Sequence, residues 1–85
     1  MKRTDVTYGQ VDKVLRGLGF ACRVETREPA TRIYEHKPSG AWIMLPQFPD
    51  DDLVLDYHLA GVQSTLEGFG IADRKLFDAK VHKAG

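Results

Sequence analysis

The sequence has one cysteine, no long apolar run and no net charge, and each absence removes a class of protein. Cys22 has no second cysteine with which to form a disulfide in this chain, so we interpret it as a small buried residue in a reducing compartment. No stretch approaches the ~18 apolar residues of a membrane span, and the start, MKRTDVTYGQ, lacks the apolar core of a secretion signal. We therefore expect a cytoplasmic protein that does not enter a membrane.

The residue spacings of common metal and cofactor sites are also missing. Cys22 and the three histidines lack the spacing of zinc ligands, and Asp50 to Asp52 lack the spaced ligands and the glycine of a calcium loop. No glycine-rich loop that would hold phosphates is present. A chain of 85 residues can bury one modest core without a deep substrate cavity. We expect a single domain, residues 1–85, with no metal and no small-molecule cofactor.

Charge is balanced overall but unevenly placed. Residues 1–37 hold eight Lys and Arg against five acids, whereas residues 38–85 hold four against seven. Arg23, Arg27 and Arg32 are candidates for contacts with phosphates. The balanced total argues against strong non-specific binding of nucleic acid.

Residues 31–46, TRIYEHKPSGAWIMLP, predict a β-hairpin. Two runs rich in β-branched and aromatic residues flank the turn Lys37-Pro38-Ser39-Gly40, where Pro suits the second position and Gly tolerates a left-handed exit. A four-residue loop places four pairs of residues opposite each other: His36–Ala41, Glu35–Trp42, Tyr34–Ile43 and Ile33–Met44.

The period of two in a strand divides these side chains between two faces of the sheet. One face carries Arg32, Tyr34, His36, Ala41, Ile43 and Leu45, and the other carries Thr31, Ile33, Glu35, Trp42 and Met44. Both faces hold large apolar groups, but a short chain usually covers only one of them. The uncovered face is therefore the place to look for a binding surface.

The remaining segments predict three helices and one more strand. Thr7 and Gln10 have the spacing of a capping box for a helix over residues 8–16, and residues 21–28 alternate as a strand that is broken at Glu28-Pro29-Ala30. Asp56 is the expected N-cap of a helix over 57–69, and Asp73 that of a last helix over 74–81. Residues 80–85 should fray. Residues 53–55 suggest a brief extended piece.

This succession predicts an α+β fold of α-β-β-β-α order with a short C-terminal helix. Two amphipathic helices each need to bury one apolar stripe, so packing both on one face of the sheet gives a two-layer sandwich. We expect the helices to cover Cys22, Val24, Tyr34, Ile43 and Leu45, and to leave Thr31, Ile33, Trp42 and Met44 open.

Residues 8–77 resemble the HicA family of bacterial toxin–antitoxin systems. The resemblance rests on Leu18-Gly19-Phe20 at the end of the first helix, the hairpin with Tyr34 and its Pro-Ser-Gly turn, the strand that ends at Pro46, and a helix followed by Phe69-Gly70-Ile71. It implies a fold like the double-stranded-RNA-binding domain, cleavage of messenger RNA, and an antitoxin-like protein as partner.

The catalytic motif of that family is not conserved in this chain. The family has a Gly-Ser-His triplet three residues before the tyrosine, and its histidine is held to perform the acid–base chemistry. Pro29, Ala30 and Thr31 occupy the matching positions. A threonine hydroxyl does not titrate near neutral pH and cannot replace an imidazole as general acid or base. We therefore expect a HicA-like RNA-binding domain without the usual ribonuclease activity.

Two alternatives stay open at this point. The first is an active ribonuclease with a relocated base, with His58 as the first candidate and His36 as the second. The second is a protein-interaction domain that docks an antitoxin-like protein or a copy of itself. Trp42 suits any of these binding roles, unless it is buried under the loop of residues 46–52. The expected RNA- or partner-binding residues are Arg23, Arg27, Thr31, Arg32, Ile33, Trp42 and Met44.

Overall fold

The chain folds into a small α+β structure with three helices and two antiparallel sheets. The computed structural model describes residues 2–27 and 30–84. In chain order the elements are β1 (Arg3–Thr7), α1 (Tyr8–Gly17), β2 (Ala21–Glu25), β3 (Thr31–His36), β4 (Ala41–Pro46), β5 (Leu53–Leu55), α2 (Asp56–Gly68) and α3 (Arg74–Ala84). The expected α+β class is confirmed, and β1 is an element that the sequence analysis did not predict.

The predicted hairpin is confirmed in its register. Strands β3 and β4 pair with His36 opposite Ala41 and Tyr34 opposite Ile43, and β2 pairs with the other side of β3. Gly40 adopts a φ of 77°, the left-handed exit that the turn requires. The Ser39 hydroxyl accepts a hydrogen bond from the Ala41 N–H at 3.1 Å, which holds the turn against β4.

Helix α1 begins with the capping box that its sequence predicts. The Gln10 N–H donates to the Thr7 hydroxyl at 3.1 Å, and the Thr7 N–H donates to the Gln10 side chain at 2.8 Å. Gly19, at a φ of 98°, reverses the chain after the helix. Phe20 is then buried, and its N–H donates to the Leu15 carbonyl at 3.0 Å.

The helices cover one face of the three-stranded sheet, and the core lies between the two layers. Along β4, burial alternates strictly, because Ala41, Ile43 and Leu45 are buried whereas Trp42 and Met44 are exposed. The largest fully buried side chains are Leu15 and Val11 of α1, Tyr34 of β3, Val54 of β5, Leu66 and Val62 of α2, and Phe77 and Val81 of α3.

Strands β1 and β5 form a small second sheet that joins the beginning of the described chain to the start of α2. The Asp56 N–H donates to the Lys2 carbonyl, and the Tyr8 N–H donates to the Asp52 carbonyl, each at 3.0 Å. Phe48 packs on the Tyr8 ring with centroids 5.0 Å apart. These contacts fix the first turns of α1 and α2 next to each other.

Three sequence-based predictions are wrong. Val24 is 46% exposed, because β2 is an edge strand and the helices do not cover its far half. Asp56 is the first residue of α2, whose N-cap is Leu55 without a side-chain hydrogen bond. The last helix continues to Ala84, because Val81 is buried and its carbonyl accepts a hydrogen bond from Gln10 at 3.0 Å.

Strand β2 is shorter than the sequence predicts. It ends at Glu25 rather than at the predicted Glu28, since Thr26 and Arg27 are described and are not part of it; Glu28 and Pro29 lie outside the described residues. Within residues 2–27 and 30–84, no helix has both the length and the apolar character needed to cross a membrane.

Candidate binding surface

The side of the β2–β3–β4 sheet that faces away from the helices is the candidate site, and we call it the open face. Strand register and alternation assign nine side chains to it: Ala21, Arg23, Glu25, Thr31, Ile33, Glu35, Trp42, Met44 and Pro46. This is the face that the sequence analysis expected to remain uncovered.

Trp42 and Met44 are the apolar centre of the open face. Their exposed fractions are 58% and 52%, which is unusual for a Trp and a Met in a small domain. The alternative in which the loop of residues 46–52 buries Trp42 is therefore wrong. Phe48 of that loop packs on Tyr8 instead.

A depression of about 430 Å³ lies at the turn end of the open face. It brings together four of the seven predicted binding residues and adds a cation at its rim. Its lining comprises Arg23, Ile33, Glu35, His36, Lys37, Gly40, Ala41, Trp42 and Met44. The depression is thus apolar in the middle and charged at its edge.

The charged edge contains an ion pair. Arg23 Nε lies 3.4 Å from Glu35 Oε1, and both side chains are well exposed. An exposed pair of this kind contributes about 0–1 kcal/mol to stability. Either group can therefore exchange its partner for a ligand at small cost.

Arg32 does not belong to this surface. It points to the helix side, where its guanidinium lies 2.8 Å from Asp50 and 4.0 Å from Asp12. Burial alone would lower the pKa of Arg32, but hydrogen bonds with Asp50 and Tyr34 outweigh burial and raise it. Arg32 is a structural cation that ties β3 to the loop before β5 and to α1.

Tyr34 completes that cluster on the helix side. Its ring is fully buried, and its hydroxyl donates to Asp12 Oδ1 at 2.7 Å. Burial and this hydrogen bond raise the pKa of Tyr34. The tyrosine therefore stays neutral and fixes α1 on the sheet.

Two other predicted residues lie at the far end of the sheet from the turn. Thr31 is half-buried on the open face, between Glu25 of β2 and Pro46 of β4. Arg27 is exposed in the bend after β2 and lies outside the depression. Pro29, which matches the first residue of the family triplet, lies outside the described residues.

His36 is held at the rim of the depression. Its Nδ1 lies 2.7 Å from the Ser39 hydroxyl, and its ring packs on Phe20 with centroids 5.0 Å apart. Gly19 passes beside the imidazole, since a Cβ at that glycine would lie 3.5 Å from it. These contacts give His36 a structural role at the junction of the turn and α1.

His58 lies in the first turn of α2 and is hydrogen-bonded through its Nδ1 to Tyr8 of α1. The Tyr8 hydroxyl lies 2.9 Å from this nitrogen and also accepts the Leu55 N–H at 3.4 Å. Because Tyr8 is buried, its hydroxyl hydrogen needs an acceptor, and His58 Nδ1 is the acceptor beside it. We therefore assign the imidazole hydrogen to Nε2. Burial lowers the pKa of His58, so the ring is neutral at neutral pH.

A second groove, of about 220 Å³, runs between the outer edge of β4 and α2. We call it the edge groove. Trp42 and Met44 line one side of it, and Tyr57, His58 and Gly61 line the other. Tyr57 is 53% exposed, and sequence reasoning missed it. Nothing in the sequence around Tyr57 indicates that the first turn of α2 lies beside β4.

Sequence reasoning also missed Glu35 as a binding residue. The signal was present, because the predicted register already placed Glu35 opposite Trp42 on the open face.

No group of three or more His, Cys, Asp or Glu in residues 2–27 and 30–84 could hold a metal ion. Comparison of the chain with protein-family models, with curated proteins and with solved structures found no match.

Proposed function

We propose that this chain is a HicA-like domain that binds single-stranded RNA on its open face and does not cleave it. The observation that carries the proposal is the exposed indole of Trp42 beside the Arg23–Glu35 pair on an uncovered sheet. Sheet faces of this composition suit unstacked bases, which stack on aromatic rings and present their edges to polar side chains.

The order of the elements supports the HicA-like part of the proposal. The segment α1–β2–β3–β4–α2 follows the helix, three-strand, helix order that the resemblance implies. In this proposal, the domain has the double-stranded-RNA-binding type of fold, and β1, β5 and α3 are additions to it. Its antiparallel three-stranded sheet with one uncovered face provides the platform.

Three groups of the depression have complementary roles toward a nucleotide. A base that stacks on Trp42 would have its edge near Glu35, because these two residues are opposite each other. The Glu35 carboxylate accepts from a base amino group, and the Arg23 guanidinium donates to a base carbonyl or a phosphate. Lys37 at the rim supplies a second contact for the backbone.

The chemistry of the histidines argues against a relocated catalytic base. With Nδ1 of His58 accepting from Tyr8 and Nε2 protonated, the neutral ring has no free nitrogen to take a proton. His36 lies at the rim of the depression, where its Nδ1 is hydrogen-bonded to the Ser39 hydroxyl and its ring packs on Phe20. Thr31, at the position of the family histidine, has no group that titrates near pH 7.

Fluorescence offers a direct test, because Trp42 is the one tryptophan of the chain. Titration with a mixed-sequence single-stranded RNA should quench its emission as bases stack on the indole. Trp42→Ala should weaken binding by roughly 1–3 kcal/mol, the usual contribution of one stacked base, and Trp42→Phe should retain most of the affinity. Fluorescence anisotropy of a labelled RNA measures both variants.

Val24→Ala is the matched control, because Val24 is a similarly exposed apolar residue of the same sheet that does not belong to the open face. It should bind RNA as the wild type does. Equal affinities for Trp42→Ala and Val24→Ala would contradict the proposed platform.

The second candidate is a protein-docking surface for an antitoxin-like partner, and the charge of the open face favours it. Arg23 and Lys37 are balanced by Glu25 and Glu35, so the surface has no excess of positive charge. Docking through apolar side chains responds little to salt, whereas RNA binding weakens as salt rises. Lack of RNA binding by the folded wild type at low salt would favour this second candidate.

A further inference from the structure

In the depression of the open face, a carboxylate and a guanidinium lie side by side next to the exposed indole. Glu35 is directly opposite Trp42 in the neighbouring strand. Arg23 is opposite Ile33, which lies two residues before Glu35 on the same face. Arg23 Nε is 3.4 Å from Glu35 Oε1, and all of these side chains line the depression. A flat ring that stacks on Trp42 therefore has an acceptor group and a donor group beside one of its edges.

The contact between Arg23 and Glu35 leaves most of their hydrogen-bonding groups free for a ligand. Its length of 3.4 Å exceeds the roughly 2.7–2.9 Å of a charge-assisted hydrogen bond, so the pair is loosely joined. An arginine has more N–H donors, and a carboxylate more acceptor positions, than this one contact uses. Both side chains are well exposed. A base edge can therefore meet both groups without separating them.

Guanine has the edge that complements this arrangement. Its Watson–Crick edge presents the O6 carbonyl, then N1–H, then the 2-amino group, which is one acceptor followed by two donors. Unstacked bases in single-stranded RNA are recognised through this edge. Arg23 can donate to O6 while the two carboxylate oxygens of Glu35 accept from N1–H and from the amino group.

The other three bases each turn an acceptor toward the carboxylate of Glu35. Adenine and cytosine have a ring nitrogen without hydrogen at the centre of this edge, and uracil has a second carbonyl where guanine has its amino group. Two acceptors that face each other leave both without a donor, which costs free energy. Adenine and cytosine also present an amino donor, rather than a carbonyl, to the donors of Arg23.

We propose that the depression selects guanine among the bases of a single-stranded RNA, with Glu35 as the residue that determines the selectivity. This inference rests on the proposed RNA binding and adds base recognition to it. Trp42 stacks on any base, because every base has an aromatic face. Arg23 donates to O6 of guanine but can also donate to a phosphate. Glu35 alone distinguishes the two adjacent donors of guanine from the edges of the other bases.

Short oligouridine RNAs that differ in one central base test the selectivity. The central base is guanine, adenine, cytosine or uracil, and fluorescence anisotropy of the labelled RNA gives the dissociation constant. The RNA with guanine should bind the wild type about tenfold more tightly than the other three, near the low end for a bidentate base contact, because the depression is open to solvent. Quenching of Trp42 emission reports stacking in the same samples.

Inosine at the central position isolates the contact with the amino group. Its base keeps O6, N1–H and the ring system of guanine but lacks the 2-amino group, so one of the two hydrogen bonds with Glu35 is lost. The wild type should bind the inosine RNA about fivefold more weakly than the guanine RNA. Glu35→Gln should bind these two RNAs alike, because the amide no longer offers two acceptor oxygens.

Glu25→Gln is the matched control. It makes the same substitution, with the same change of charge, on the same face of the sheet, but Glu25 does not line the depression. This variant should retain the wild-type preference for guanine.

The outcomes separate this inference from the proposed function. Equal affinity for all four RNAs, with Trp42 quenched in each, would overturn guanine selectivity and leave RNA binding standing. A preference for guanine that persists in Glu35→Gln, or equal binding of guanine and inosine by the wild type, would overturn the role of Glu35. Absence of binding to every RNA would overturn both proposals.

Discussion

The hydrogen bond between Tyr8 and His58 limits what the one histidine of α2 can do. It joins a buried phenol of α1 to a half-buried imidazole across 2.9 Å, and the Phe48 ring packs against the Tyr8 side of the pair. The ring is neutral, and burial is the cause that lowers its pKa.

The lowered pKa of His58 makes stability depend on pH. The ring has an ordinary pKa of 6.5, so it takes up a proton near that pH in the unfolded chain but only at lower pH in the folded chain. Between these two values the unfolded chain binds more protons, and the free energy of unfolding should therefore fall as pH falls below 6.5. Urea denaturation between about pH 7 and pH 5.5, above the range in which most carboxyl groups titrate, measures this loss.

His58→Asn is the variant for this test, because the amide oxygen of asparagine can accept from Tyr8 in place of Nδ1. It should remove the loss of stability toward acid pH. His82→Gln is the control, because a backbone carbonyl at Asp78 raises the pKa of His82 and its effect has the opposite sign. An equal loss of stability in the wild type and in His58→Asn would show that another group is responsible.

Single residues of the hairpin could be predicted from the sequence, and the partners of Arg32 could not. Alternation alone separated buried Tyr34 from exposed Trp42. Arg32 pairs with Asp50, which is 18 residues away along the chain, and no local pattern indicates that contact. For this reason Arg32 was predicted to bind RNA, whereas in the structure its ion pair with Asp50 stabilises the fold.

At the scale of elements, α3 is part of the core rather than a frayed end. Val81 is buried, and Gln10 of α1 donates to its carbonyl at 3.0 Å. The end of this helix was predicted wrongly because residues 80–84 are mostly polar, and the contact that stabilises them comes from Gln10 of α1. Asp73 does cap this helix as predicted, since its carboxylate accepts the Leu76 N–H at 2.8 Å.

Truncation of Val81 tests whether α3 contributes to global stability. Val81→Ala removes two methyl groups from a fully packed position and should lower the free energy of unfolding by roughly 1–3 kcal/mol. Lys80→Ala, at the exposed neighbouring position, should change it by less than about 0.5 kcal/mol. Chemical denaturation gives both values. If the two variants are equally stable, the end of α3 does not belong to the cooperative core.

Elements with local signals were predictable, and elements held by distant pairing were not. The capping box and the Pro-Ser-Gly turn are encoded within a few residues, and both are confirmed. Strand β1 has no such signal, because its five residues, RTDVT, become a strand only by pairing with β5. The open face followed from the hairpin register, whereas the edge groove required the packing of α2 against β4.

For the whole molecule, balanced charge predicts a modest dependence of RNA binding on salt. Formal net charge is zero, and the depression offers two cations, Arg23 and Lys37, for phosphates. With a slope of about −0.7 for each phosphate contact on a single strand, log K should fall with log salt at a slope of roughly −1.4. Stacking on Trp42 would then supply most of the affinity that remains at high salt.

The central claim is that the domain binds RNA without cleaving it, and one incubation tests both parts. Wild-type protein is mixed with an end-labelled single-stranded RNA of mixed sequence, beside His58→Ala and Trp42→Ala, and the RNA is then examined for retention and for fragments. We expect intact RNA in all three samples, with retention by the wild type that falls with salt and is weakened in Trp42→Ala. Fragments that form with the wild type and disappear with His58→Ala would contradict it.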